Sequence, residues 1–159
     1  MADYYLGVDY GIRRVAFALI DESNHIVVLE DLVLQKDARD VELDVMTRFV
    51  LDRVHTWTWD IVSCVIESPI LGGSLNASTA VQMGITAGAL SVTLNQHNVR
   101  NIFVPSARWK KEVVGKGNAK KEEVMAWAVE RWPDQEFKTQ DQADALAMAV
   151  YAAWREDNA

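Results

Sequence analysis

The 159-residue chain is short of the residues that build disulfide frames and zinc clips, with one cysteine and three histidines. A lone Cys64 excludes an intramolecular disulfide. Its place within the apolar run Ile61–Ile66 marks it as a small buried hydrophobe rather than a reactive thiol. His25, His55 and His97 are scattered without ligand spacing, so a zinc site finds no Cys/His set. No apolar run approaches the length of a membrane span, and Met1-Ala2-Asp3-Tyr4 lacks the basic and apolar stretches of a signal peptide. The expectation is a cytoplasmic protein with no membrane partner. Positive charge is also lacking overall: 16 Lys and Arg against 23 Asp and Glu leave a net −7. That balance argues against nucleic acid as a partner unless cations are gathered locally.

What remains is ordinary for a soluble globular protein, half apolar and a quarter charged, and the length suits one domain over residues 1–159. Three runs rich in Val, Ile, Leu, Tyr and Phe, at 4–10, 14–20 and 26–34, are separated by the short turns Gly11-Ile12-Arg13 and Asp21-Glu22-Ser23-Asn24. Short connections make antiparallel neighbours, so the chain opens with a meander. From Asp40 the apolar period becomes helical to about Thr56, with Asp37 and Asp40 as caps. A strand at 61–67 follows, then a loop through Pro69, Gly72 and Gly73, and a long helix at 76–96. A strand at 100–104 ends at Pro105, and Ser106 caps a brief helix to Val114. Helices at 119–132 and 139–154 complete the chain, the last opened by Thr139 and Gln142 at capping-box spacing. The pattern is a mixed α/β domain. In the helix 76–96, Gly84 and Gly88 with Ala80, Ala87 and Ala89 allow close approach of another element, either the sheet or a second copy of the chain.

Acid is delivered at three element ends. Asp9 ends the first strand, Glu67 ends the fourth, and Asp141 and Asp144 share one face at the start of the last helix. Each taken singly has a plain explanation, as a turn cap, a strand-end acid, or a pair favouring the helix dipole. Together, four carboxylates offer hard oxygen ligands that suit Mg²⁺ or Mn²⁺. Such sites serve in-line phosphoryl displacement, typically with two ions roughly 3.5–4 Å apart. A carboxylate buried without a cation or hydrogen bonds would be costly.

Cations are gathered locally after all. Between Arg100 and Lys121 stand seven Lys or Arg and one acid, a net +6 that leaves −13 on the rest. Lys110, Lys111, Lys116 and Lys120 could contact backbone phosphates, Gly115 and Gly117 would allow close approach, and Arg13 and Arg14 beside Asp9 extend the patch. Of the six tryptophans, Trp127, Trp132 and Trp154 fall in apolar helical stretches and read as core. Trp109 lies within the basic segment and either packs in the core or stacks on a base.

In order and spacing, four segments resemble the motifs of the RuvC-type Holliday junction resolvases: Gly7-Val8-Asp9-Tyr10-Gly11, Val65-Ile66-Glu67, Lys110 to Lys121, and Asp141-Gln142-Ala143-Asp144-Ala145-Leu146-Ala147. The resemblance implies an RNase H-like fold, a five-stranded mixed sheet (three antiparallel strands, then parallel ones) flanked by helices. It implies a homodimer, formed through the helix 76–96, that hydrolyses four-way DNA junctions symmetrically with Mg²⁺ or Mn²⁺ and leaves 5′-phosphate and 3′-hydroxyl ends. By position, Asp9, Glu67, Asp141 and Asp144 match the metal-binding carboxylates, and Lys110 and Lys121 match lysines close to the scissile phosphate, Lys121 being counted with the catalytic set. Two positions depart from the pattern. Tyr10 stands where the family commonly has proline, and Ile70 where it often has an aromatic that stacks at the junction centre. An apolar wedge at Ile70 still suits branched DNA. The acidic pI and Ile70 also fit a broader fork or flap nuclease, such as the less selective viral members of the family. A junction-binding protein without turnover would be expected to lack a carboxylate, and all four are present. Asp9-Tyr10-Gly11 is similar to the phosphate loop of the actin and sugar-kinase group as well, but that group needs two lobes.

Overall fold

The computed structural model describes residues 2–35, 42–56, 60–69 and 75–159, with backbone alone for 42–44 and 54–56. Five strands, β1 (Asp3–Tyr10), β2 (Arg14–Asp21), β3 (Ile26–Val33), β4 (Asp60–Glu67) and β5 (Asn101–Val104), form one sheet in the order β3-β2-β1-β4-β5. β1 pairs antiparallel with β2 and parallel with β4, and β5 continues the parallel side. The opening meander follows from its turns. The Gly11 N–H donates to the Arg14 carbonyl at 2.8 Å. In the second turn, Asp21 Oδ1 accepts from the Ser23 and His25 N–H groups at 2.9 and 2.8 Å, and Asn24 adopts the left-handed conformation, φ 62°.

β1 is apolar on both faces because both are covered. Leu6, Val8 and Tyr10 join Phe17, Leu19, Cys64 and Ile66 in one core, closed by Met46 and Val50 of α1 (Glu42–Thr56) and Ala87, Leu90 and Leu94 of α2 (Ala77–Gln96). Tyr5, Ala16, Ala18 and Val65 point the other way, onto Leu146, Met148 and Tyr151 of α5 (Gln140–Asp157). Burying each large apolar side chain contributes about 1.5–3 kcal/mol. Gly7 sets how closely α5 lies on β1. A methyl group there would collide with the Ala145 carbonyl and the Ala149 amide nitrogen. α3 (Ser106–Val113) and α4 (Lys121–Arg131) pack against α5.

Several local expectations need correction. Pro105, extended at φ −60° and ψ 142°, is the N-cap of α3, and Ser106 is its first helical residue. α4 begins at Lys121; the Glu123 carboxylate accepts from the Lys120 N–H at 2.8 Å, closing the helix start two residues later than expected. Thr139 caps α5 by accepting from the Gln142 N–H at 3.3 Å. Gln142 returns no bond to it. Its side chain instead accepts from the Lys138 N–H and donates to Asp31 of β3 at 2.6 Å. Trp154 is 38 % exposed rather than core. α2 is, by length and composition, long and apolar enough to cross a membrane, contrary to the sequence expectation. Its buried side (Thr86, Ala87, Leu90, Leu94) lies on the sheet. Its other side exposes Val81, Ile85 and Val92 at 61, 55 and 57 %. Gly84 and Gly88 do not face the sheet: a methyl at either would meet no described atom within 4 Å. The expected caps Asp37 and Asp40, and Ile70, lie outside the described residues.

Candidate metal and nucleic-acid site

Parallel strands end on the same edge of a sheet. That edge carries Asp9, next to last in β1, and Glu67, the last residue of β4. Because α5 crosses β1 tightly at Gly7, its first turns place Asp141 and Asp144 over the same edge. One carboxylate oxygen from each of Asp9, Asp141 and Asp144 lies within 4.8 Å of the other two. Glu67 stands outside that triad but close enough to act electrostatically on both Asp9 and Asp144. Its Oε2 accepts a hydrogen bond from the Trp109 indole N–H at 3.1 Å.

Two of the three acids are buried, Asp141 is half-buried, and the three repel one another. Asp9 and Asp144 are each 7 % exposed. Burial holds the Asp9 carboxyl well above the usual range; Arg14 opposes this, and Asp144, Glu67 and Asp141 reinforce it. Asp144 is pushed up to about 6, first by burial and further by Glu67 and Asp141, against the pull of Lys121 and Lys110. Glu67 is raised by burial, with the Trp109 hydrogen bond, Lys110, Lys121 and Arg14 working against it. Asp141 goes the other way. Burial would raise it, but Arg14 and Lys121 outweigh that and hold it below the ordinary carboxylate range.

Arg14 is the cation that acts on both Asp9 and Asp141. Its Nη1 lies 3.4 Å from Asp9 Oδ2 and forms a close ion pair with Asp141 Oδ2. The fold-back of this side chain needs Gly11, where a methyl would sit 3.0 Å from the Arg14 Cγ. Lys121 Nζ lies 3.2 Å from Asp141 Oδ1. Asp144 Oδ1 is buried without a hydrogen-bond partner among the described residues. A carboxylate with an orphaned oxygen, lying beside two other carboxylates, suits a hard divalent cation, and the all-oxygen donor set suits Mg²⁺ or Mn²⁺ over zinc.

The structure thus brings Asp9, Asp141, Asp144, Glu67, Arg14, Lys110 and Lys121 to one edge. Lys116 is instead paired with Glu123 at 2.8 Å, and Lys111 and Lys120 are exposed outside the group of cations that dominates the site's electrostatics. Arg13 lines a cavity of about 390 Å³ beside Arg14, with Ile12, Val33 and Gln82. Arg100 belongs elsewhere. It precedes β5 at the opposite edge of the sheet and pairs with Glu156 at 2.7 Å. Trp109 is fully buried, which excludes base stacking and leaves the core reading. Tyr10 packs on the α2 side of β1, its hydroxyl buried without a partner among the described residues. Sequence reasoning missed the Glu67 contact of Trp109 and the tie from Gln142 to Asp31, which no spacing announces. It could have found the role of Gly7, since glycine inside a buried strand signals close backbone approach.

Comparisons with known proteins identify the family and the fold. The family model of the crossover junction endodeoxyribonuclease RuvC matches residues 5–152. Proteins called crossover junction endodeoxyribonuclease RuvC are 28 % identical in Legionella pneumophila (strain Lens), over 91 % of this chain and 83 % of that one. In Ehrlichia canis (strain Jake) the identity is 24 %, over 96 % and 97 %. Thermus thermophilus RuvC shares the fold with a TM-score of 0.78 at 18 % identity, over 99 % of this chain and 96 % of that one. The T. thermophilus RuvC in complex with a Holliday junction substrate gives 0.80 at 19 %, over 96 % and 94 %. The sheet order and the covering helices are therefore those of an RNase H-like fold, and the chain belongs to the RuvC family of metal-dependent crossover junction endodeoxyribonucleases.

Proposed function

We propose that residues 1–159 form a single nuclease domain that cuts four-way DNA junctions by phosphodiester hydrolysis with Mg²⁺ or Mn²⁺, two ions per site. The observation that carries this reading is the triad of converging carboxylates, Asp9 and Asp144 buried and Asp144 with an orphaned oxygen, set among Arg14, Lys110 and Lys121. A divalent cation bound here would lower the pKa of an attacking water and neutralise charge on the phosphate. Asp9, Asp141 and Asp144 hold such a cation, and Glu67 completes the set. Lys121 and Lys110 orient the scissile phosphate and stabilise its negative charge. Water oxygen bonds to phosphorus as the bond to the 3′ oxygen breaks; the 3′ oxygen takes a proton, leaving a 5′-phosphate and a 3′-hydroxyl. Arg13, Arg14, Lys111, Lys116 and Lys120 contact flanking phosphates, Lys116 after exchanging its Glu123 partner.

A four-way junction has two-fold symmetry, which a two-fold dimer matches with one active site per opposed strand. The exposed apolar stripe Val81, Ile85 and Val92 on α2, with open space over Gly84 and Gly88, supports a homodimer through this helix. The buried Cys64 thiol is compatible with a cytoplasmic enzyme. Ile70, in place of an aromatic, favours a second reading, a broader branched-DNA nuclease.

A labelled immobile junction, a Y-fork and a linear duplex, each incubated with Mg²⁺ or Mn²⁺, separate these readings. Paired symmetric nicks on the junction alone, lost in Asp144→Asn, are the expected result. Comparable cutting of the fork would establish the second reading. Uncut DNA with a retained gel shift would leave a binding protein and overturn catalysis.

A further inference from the structure

Trp109 is the largest fully buried side chain among the described residues, and it sits where the basic segment meets the carboxylates. A buried indole needs an acceptor for its N–H. The ring belongs to an apolar core cluster that includes Val104, Val124 and Leu146, yet its N–H is directed to Glu67 Oε2 at 3.1 Å. The π-face of the same ring carries the Lys110 ammonium, whose Nζ lies 5.3 Å from the ring centroid. One rigid side chain therefore touches two charged groups of the site, one at the end of β4 and one on α3, and its bulk locks both to the core beneath α5.

The consequence for Glu67 is specific. Asp9, Asp141 and Asp144 converge within 4.8 Å, whereas Glu67 is held outside them. A long, flexible carboxylate left alone at the end of a strand would rotate among several rotamers and hydrate. A hydrogen bond from a ring that cannot move fixes one of its oxygens and thereby the distance at which the group stands from the triad. Groups that orient a metal-binding carboxylate in this way commonly govern metal affinity or activity by 10–100-fold.

We propose that Trp109 is a positioning residue of the active site: its indole N–H sets the Glu67 carboxylate for a divalent cation while its ring face props Lys110 toward the phosphate. The proposal rests on the metal-dependent nuclease reading and goes beyond it by assigning a role to a residue that touches neither DNA nor the triad. Two substitutions divide the roles. Trp109→Phe keeps a ring for Lys110 and removes the N–H; Trp109→Leu removes both.

The test measures Mn²⁺ binding calorimetrically on DNA-free protein and junction cleavage at a series of Mn²⁺ concentrations. Trp109→Phe should bind Mn²⁺ about tenfold more weakly, with kcat lowered, KM for the junction unchanged, and kcat restored by excess Mn²⁺. Trp109→Leu should lose activity that excess Mn²⁺ does not restore, because Lys110 is unsupported as well. In the wild-type protein, Glu67→Gln should shift the nuclear magnetic resonance signal of the Trp109 indole N–H. That readout stands even if the tryptophan variants fail to fold. Wild-type Mn²⁺ binding and cleavage in Trp109→Phe, or an indole signal indifferent to Glu67→Gln, would overturn the proposal. A wild-type protein that neither binds Mn²⁺ nor cuts would instead overturn the nuclease reading on which it rests.

Discussion

Asp144 stands under electrostatic tension, since it is buried, lies beside two other carboxylates and leaves one oxygen unpaired. Its carboxyl titrates near 6 in the folded protein against an ordinary 3.8. The folded state therefore holds this proton more tightly than the unfolded chain does. Taken alone, Asp144 costs the metal-free protein stability above about pH 6, and that cost is relieved as pH falls from 6 toward 3.8. Asp141, held low by Arg14 and Lys121, acts oppositely, and its stabilisation is lost as pH falls through its lowered folded value. Asp144→Asn should accordingly raise the stability of metal-free protein at pH 7.5 by roughly 1–3 kcal/mol, read as a higher Tm. The same variant should lose at least a hundredfold in junction cleavage. Because a cation competes with the proton on Asp144, Mn²⁺ affinity should fall about tenfold per pH unit below about pH 6. Calorimetry at pH 5 and 7.5 checks this, and equal affinities would contradict the titration assigned here.

Elements hold these residues in place through contacts with little tolerance. Gly7→Ala would drive a methyl into the backbone of α5 at Ala145 and Ala149. The expected loss is about 3 kcal/mol or more, measured by denaturant unfolding, with Mn²⁺ binding weakened because Asp141 and Asp144 shift from Asp9. The strands and helices were legible in the chain because period-2 and period-3.6 patterns and turn residues mark them directly. The four acids were legible because each falls at an element end. Interactions between elements were not. Trp109 on Glu67, Gln142 on Asp31 and Arg14 across the triad join residues 42, 111 and 127 positions apart in the first two cases and in the Arg14–Asp141 pair. Such pairings depend on topology, and local pattern carries no trace of them. Arg100 shows the converse, since a cluster in sequence was divided between opposite edges by the direction of β5.

For the whole molecule, the proposed DNA contact is local: Arg14, Lys110 and Lys121 stand among the carboxylates of an overall acidic chain. Salt should weaken junction binding steeply despite the net −7. The exposed side of α2 is the second molecular feature. Ile85→Glu should convert a dimer to monomer in sedimentation analysis and abolish paired cleavage, while leaving the fold intact because Ile85 is 55 % exposed. An unchanged sedimentation coefficient would contradict the proposed dimer through α2. Anomalous diffraction from crystals grown with Mn²⁺ reads out whether Asp9, Asp141, Asp144 and Glu67 together form a divalent-cation centre. The expected result is manganese peaks among the three aspartates and toward Glu67, all lost in Asp144→Asn. Manganese bound only at other surface carboxylates, with Arg14 still bridging Asp9 and Asp141, would contradict it.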